Sequence, residues 1–189
     1  MTSPRPITVI TGASAGIGAA LARVFARNGH ELALVARRED RLRALADEIA
    51  ATGVRRPIVI VVDLLKPGAA RLIGDGLAAQ GAEPQFVVNN AGFGLVGLAT
   101  ARDRDEQLQM IDLNVRALTE LSLAFVESLA RHRGGLLFDG RLPSGSGHGG
   151  LLRDEGLCFV LHGGAAQRAQ AAWHTRFDAV SGPGADRIR

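Results

Sequence analysis

Eight residues, TGASAGIG at 11–18, most constrain what this chain can fold into. They follow directly on a β-branched run, ITVIT at 7–11, and they open an apolar helical pattern. A strand that feeds a helix through such a turn puts glycine where the backbone must come close to something. Gly12 and Gly16 let the chain approach a pyrophosphate, and Gly18 lets the helix pack near the sheet. The helix N-terminus then offers free N–H groups and the positive end of its dipole to an anion. A tight turn without a ligand is the alternative for a bare glycine triplet. The surrounding pattern weighs against it.

That pattern is regular. Ile17, Leu21, Val24 and Phe25 recur at helical spacing and predict a helix over 17–28, closed by Gly29. Residues 32–35 form a second strand. An amphipathic helix over 38–51 carries Leu42, Leu45 and Ile49 on one face. The run IVIVV at 58–62 is continuously apolar, as a parallel strand covered on both faces requires. A helix through Leu72 and Leu77, a strand at 86–88 and a mostly helical stretch at 105–132 follow. Strands alternating with helices define an α/β fold, a Rossmann-like doubly wound parallel sheet.

Composition excludes other classes. No apolar run approaches the ~18 residues of a membrane span, so no membrane partner is expected. The first six residues are too short and polar for a signal peptide. One cysteine, Cys158, precludes an internal disulfide and fits a reducing, cytoplasmic setting. Basic and acidic residues nearly balance, 22 against 19, and are mixed along the chain. No basic stripe or aromatic platform is present, so no nucleic-acid partner is expected. No metal site is expected either.

Four motifs in order resemble the short-chain dehydrogenase/reductase family. The glycine turn has that family's Thr-Gly-x-x-x-Gly-Ile-Gly spacing, Asp63 ends the third strand, NNAG at 89–92 ends the fourth, and LNV at 113–115 lies in the following helix. Taken singly, Asp63 reads equally well as a helix cap and Asn114 as a solvated helix residue; the conjunction is what carries weight. The resemblance implies hydride transfer between NADPH and a small-molecule carbonyl or alcohol, in an enzyme that is a homo-oligomer when intact. It implies cofactor contacts from Gly12, Ser14, Gly16, Ile17, Gly18, Asn90, Ala91 and Gly92, with Asp63 against the adenine. Asn114 would sustain a proton relay through a water held by its backbone. The second strand ends in Ala36, Arg37 and Arg38. A carboxylate there would bind the ribose hydroxyls of NAD. A guanidinium there pairs instead with a 2′-phosphate, which favours NADP over NAD. Arginines that merely solvate the helix start are the alternative.

After Gly135 the texture changes. Residues 134–184 hold half of the chain's 24 glycines, and only Val160 and Val180 supply β-branched aliphatics between Leu136 and Arg187. Residues 144–150 are low in complexity, and 157–161 is the one apolar run. The resemblance calls for a Ser at the end of a fifth strand and for Tyr-x-x-x-Lys on a long helix. Phe138, Leu151 and Glu155 stand in those places; the chain has no Tyr, and its one Lys is Lys66. Leucine has no proton to give, and a carboxylate would raise rather than lower a phenol's pKa.

A one-base slip accounts for this. Codons permitted by residues 151–158, read one base on, spell Tyr-Tyr-Ala-Thr-Lys-Ala-Tyr. In the same frame, 173–177 permits Gly-Ile-Arg-Val-Ser and 180–184 permits Cys-Pro-Gly-Pro-Val. Each resembles the family's next motif, and Phe138 itself permits Ser. The expectation is a frame slip near residues 135–137. It divides the chain into an NADP-binding domain at 1–135 and an aberrant, poorly ordered tail at 136–189. The sheet is then incomplete on its C-terminal side and the chain as written is inactive. The alternatives are a diverged member with a genuine Gly-rich tail and a catalytically inert dinucleotide-binding or regulatory module.

Overall fold

Strand β1 (Arg5–Thr11) is buried from Ile7 through Thr11, which marks it as the centre of a sheet. In the computed structural model, which describes residues 3–139 and 157–160, it lies between β2 (Leu32–Ala36) and β4 (Ala82–Asn89). With β3 (Ile58–Val61), β5 (Gly135–Asp139) and β6 (Leu157–Val160), the order is β3-β2-β1-β4-β5-β6. The first five strands are parallel. The strand order reverses between β1 and β4, so their C-terminal ends open a crevice.

Alternation along the strands sorts the core into two layers. Val9, Val35 and Val87 face α3 (Ala69–Ala78) and α5 (Leu118–Arg131). Ile10, Leu34 and Val88 face α1 (Gly16–Arg27) and α2 (Glu39–Ala50). Each fully buried Leu, Ile or Phe in these layers contributes about 1.5–3 kcal/mol of transfer free energy.

The helices bury smaller stripes than the sequence periodicity suggests. In α1 the buried face is Gly18, Ala19, Ala22, Phe25 and Ala26, whereas Ile17 is 57% exposed. Small residues let this helix lie close to β1, and its first turn projects past the sheet towards the crevice. In α3 the buried stripe is Ala69, Ile73 and Leu77, at i, i+4, i+8, and Leu72 falls one position off it at 52% exposed. The end of α1 is a Schellman turn: the Gly29 amide donates to Ala26 O at 3.0 Å and the His30 amide to Phe25 O at 3.1 Å. Gly29 has φ +82°, which explains the glycine there. On the surface, Arg23 of α1 forks onto Glu48 of α2 at 2.6 and 2.8 Å, and that hydrogen bond holds the Glu48 carboxyl below its ordinary range.

The stretch expected to be mostly helical is divided into three. Asp103 caps α4 (Arg104–Ile111) by accepting from the Asp105 and Glu106 amides. A π-helical segment, Asp112–Ala117, then leads into α5. Such insertions cluster at functional sites, and this one carries Asn114. Beyond β5, the apolar run read at 157–161 supplies β6, which pairs antiparallel with β5. The positions that stand for Tyr and Lys, Leu151 and Glu155, lie outside the described residues, as do 140–156 and 161–189 generally.

Candidate functional site

The crevice is built on one hydroxyl. Thr11, the last residue of β1, donates through Oγ1 to Val88 O at 3.1 Å. The same oxygen accepts from the amides of Asn90 and Ala91, each at 3.0 Å. The Asn90 side-chain amide returns a bond to Thr11 O at 2.8 Å. The turn after β4 is thereby stitched to the turn after β1.

This closeness dictates two of the glycines. A Cβ on Gly12 would meet Asn90 Nδ2 at 2.7 Å and Ala91 Cα at 2.9 Å. A Cβ on Gly18 would meet Gly12 O at 2.6 Å. Gly18 therefore lies beneath the turn, packed as a helix-to-sheet glycine should be. Gly16 differs, because it has φ +56° and nothing within 4 Å of where its Cβ would be. It faces the open crevice together with Ile17. The cap of α1, Ala15, makes no side-chain hydrogen bond, and the first turn holds no acidic residue. The helix thus presents its ~+0.5 dipole charge without a protein partner for it. That is what a bound diphosphate requires.

The crevice holds about 780 Å³, the size of a cofactor site. Gly12, Ser14, Gly16 and Ile17 form its middle. On the β2–β3 side it is lined by Arg37, Arg38, Asp63 and Leu64, and on the β4 side by Asn90, Ala91, Gly92 and Phe93. Arg38 reaches over the glycine turn and donates to Ser14 Oγ from Nη2 at 2.9 Å and Nε at 3.2 Å. The adjacent carboxylate, Glu39, is taken by Arg43 at 2.7 Å. Asp63 accepts from the Leu65 amide at 3.1 Å, so one carboxylate oxygen orders its own turn at the crevice wall.

Asn114 stands apart from the lining. Its Oδ1 accepts from the Phe93 amide at 3.1 Å, and its Nδ2 donates to Phe93 O at 2.8 Å. The missing side chain of Gly92 makes room for it, because a Cβ there would lie 2.9 Å from Asn114 Oδ1. The side chain clamps the β4 turn from behind. Sequence reasoning passed over two members of this site. Thr11 gave a signal, a hydroxyl at a strand end against the glycine turn. Phe93 gave none, since it is gripped only through its backbone.

Among the described residues no cluster of three His, Cys, Asp or Glu could hold a metal ion. No helix among them is long and apolar enough to cross a membrane.

A parallel sheet with its crevice at the strand-order reversal, a glycine turn and an uncapped helix N-terminus define a Rossmann-type dinucleotide-binding fold. The family model for short chain dehydrogenases matches residues 6–138, and the chain belongs to that family. A short chain dehydrogenase of Pseudocercospora fijiensis is 35% identical over 129 residues, covering 67% of this chain and 41% of that protein. An alcohol dehydrogenase from Thermococcus sibiricus, solved with 5-hydroxy-NADP, superposes with a TM-score of 0.68 at 29% identity, covering 93% of this chain and 71% of that one. A short-chain dehydrogenase from Sphingobium yanoikuyae in complex with NADPH gives 0.64 at 35% identity, covering 71% and 53%. The chain spans 41%, 31% and 52% of the length of three curated relatives that it matches.

Proposed function

We propose that this chain is the NADP-binding part of an oxidoreductase that passes hydride between NADPH and a small-molecule carbonyl or alcohol. The observation that carries the cofactor choice is the Arg38–Ser14 contact, a guanidinium and a hydroxyl converging at the adenosine side of the crevice. Arg38, Arg37 and Ser14 bind a 2′-phosphate. The amides around Gly16 and Ile17 bind the diphosphate, and Asp63 meets the adenine. Asn90, Ala91 and Gly92, held in shape by Thr11 and Asn114, orient the reacting end. Relatives solved with NADPH or an NADP derivative support the same choice. Bound there, NADPH would supply hydride to a carbonyl carbon.

The chain's own residues do not complete that chemistry. Protonating the resulting alkoxide needs an acid, and the chain has no Tyr. We propose that the reading frame slips near residues 135–137. The intact gene would then encode an active, cytoplasmic, homo-oligomeric enzyme, and the chain as written binds cofactor without turnover. The family match ending at residue 138 supports this. The absent Tyr also favours a second reading, a catalytically inert dinucleotide-binding or regulatory module. The nucleotide sequence around codons 134–138 separates them, because an alternative frame that stays open well beyond codon 138 removes the support for a module.

Calorimetric titration tests the binding function. NADPH should bind roughly tenfold to a hundredfold more tightly than NADH, the value of one charge-assisted pairing of ~1.5–3 kcal/mol. Equal affinities, or a preference for NADH, would overturn the assignment.

A further inference from the structure

Asn89 ends β4 and is 6% exposed. Its Nδ2 donates to Ser122 Oγ of α5 at 3.4 Å. The Ser122 hydroxyl spends its proton on Leu118 O at 2.7 Å, so it has none for Asn89. Asn89 Oδ1 is buried and, among the described residues, without a hydrogen-bond partner. Turning the amide over would place the oxygen beside Ser122 and leave the two N–H donors unmet instead.

The neighbouring strand is where a donor belongs. β4 and β5 run parallel with Asn89 opposite Phe138. Val87 and Leu136 face the α5 layer, and Val88 and Leu137 face the other. One step further along each strand, Asn89 and Phe138 return to the α5 face side by side. Phe138 has no N–H or O–H, so it cannot meet the oxygen. A buried acceptor left unmade is more costly than a made bond is favourable. The mismatch sits just past the proposed slip, and it is a physical sign independent of the codons.

We infer that position 138 is a donor position of this fold, and that a hydrogen-bonding side chain there closes a buried chain of Ser122, Asn89 and residue 138. An amide at 138 would bond to Asn89 in register, as amides on adjacent parallel strands do, and the Ser that the resemblance places there would supply an O–H to the same oxygen. Anchored on both sides, Asn89 is a positioning residue for the turn at 90–92. This last role rests on the NADP reading, whereas the donor position does not.

A double-mutant cycle in the full chain tests it. Phe138→Asn and Phe138→Ala are each made with Asn89 present and with Asn89→Leu, and melting midpoints and NADPH affinity are measured. With Asn89 present, Phe138→Asn should melt about 3 °C or more above Phe138→Ala. With Asn89→Leu the difference should vanish or invert. Should a variant precipitate on heating, its soluble fraction after expression should follow the same order. NADPH should bind roughly fivefold more tightly to Phe138→Asn than to Phe138→Ala. Equal midpoints, or a gain that survives Asn89→Leu, would overturn the donor position. Coupled midpoints with equal NADPH affinities would overturn the positioning role alone. Coupled midpoints with no NADPH binding in any variant would sink the cofactor reading and leave the donor position standing.

Discussion

Asn114 holds Phe93 by both of its backbone groups, accepting from its amide and donating to its carbonyl across twenty-one residues of sequence. The π-helical segment carries this side chain to the back of the β4 turn, and Gly92 leaves space for it. One residue thus ties the helix beyond the crevice to the turn that lines it.

Removing that clamp should loosen the turn without unfolding the sheet. Asn114→Ala loses two hydrogen bonds at an exposed site, worth together about 1–2 kcal/mol. NADPH affinity, measured by calorimetry, should fall about fivefold to thirtyfold. Asn114→Asp keeps the acceptor and loses the donor, so it should fall between.

The glycines should separate by mechanism. Gly18→Ala drives a methyl into Gly12 O, and forced overpacking costs about 1–3 kcal/mol. Its melting midpoint and its NADPH affinity should drop together. Gly16→Ala meets open space and suffers only the left-handed backbone cost of about 1–2 kcal/mol. It should melt only a few degrees lower yet lose most NADPH binding, because the methyl lies where the diphosphate must approach.

Arg38 should govern cofactor choice. Arg38→Ala should weaken NADPH by roughly tenfold or more and leave NADH nearly unchanged. Parallel weakening of both would show that Arg38 supports the turn through Ser14 rather than reading the 2′-phosphate.

Much of this architecture was legible because local pattern and tertiary demand agree. The run into Thr11, the glycine turn and the start of α1 each announce themselves within a few residues. Arg37 and Arg38 were legible as crevice-lining residues because they directly follow the end of β2, where the sheet opens. Ile17 continues the periodicity of Leu21 yet is exposed, because the first turn of α1 projects beyond the sheet that would cover it, and it lines the crevice instead. Leu72 lies one residue off a stripe whose first member is only an alanine. The grip on Phe93 depends on segments brought together across many residues, and backbone groups carry no sequence signal; the Thr11 hydroxyl was visible at its strand end, but its partners in the β4 turn were not. The unmet oxygen of Asn89 was invisible for the same reason, since it follows from the β4–β5 register.

An acid titration probes the surface fork between Arg23 and Glu48. The Glu48 carboxyl lies below its ordinary range because Arg23 hydrogen-bonds it. Its contribution is therefore full above the ordinary carboxylate range and is lost as pH falls through the lowered value. Melting midpoints of Arg23→Gln should show a slightly shallower decline into acid than those of the unaltered chain. Screening by solvent keeps the effect small.

The central claim is that this chain keeps a cofactor site and has lost the proton donor that would use it. An NADPH-oxidation assay over a panel of aldehydes and ketones tests it most directly, with the chain as written beside a version whose reading frame is restored after Gly135. General-acid assistance is worth ~10²–10⁴ in rate, and misplaced orienting groups cost more. The restored chain should turn over, and the chain as written should show no oxidation above background while still binding NADPH. Comparable turnover by both would contradict the account.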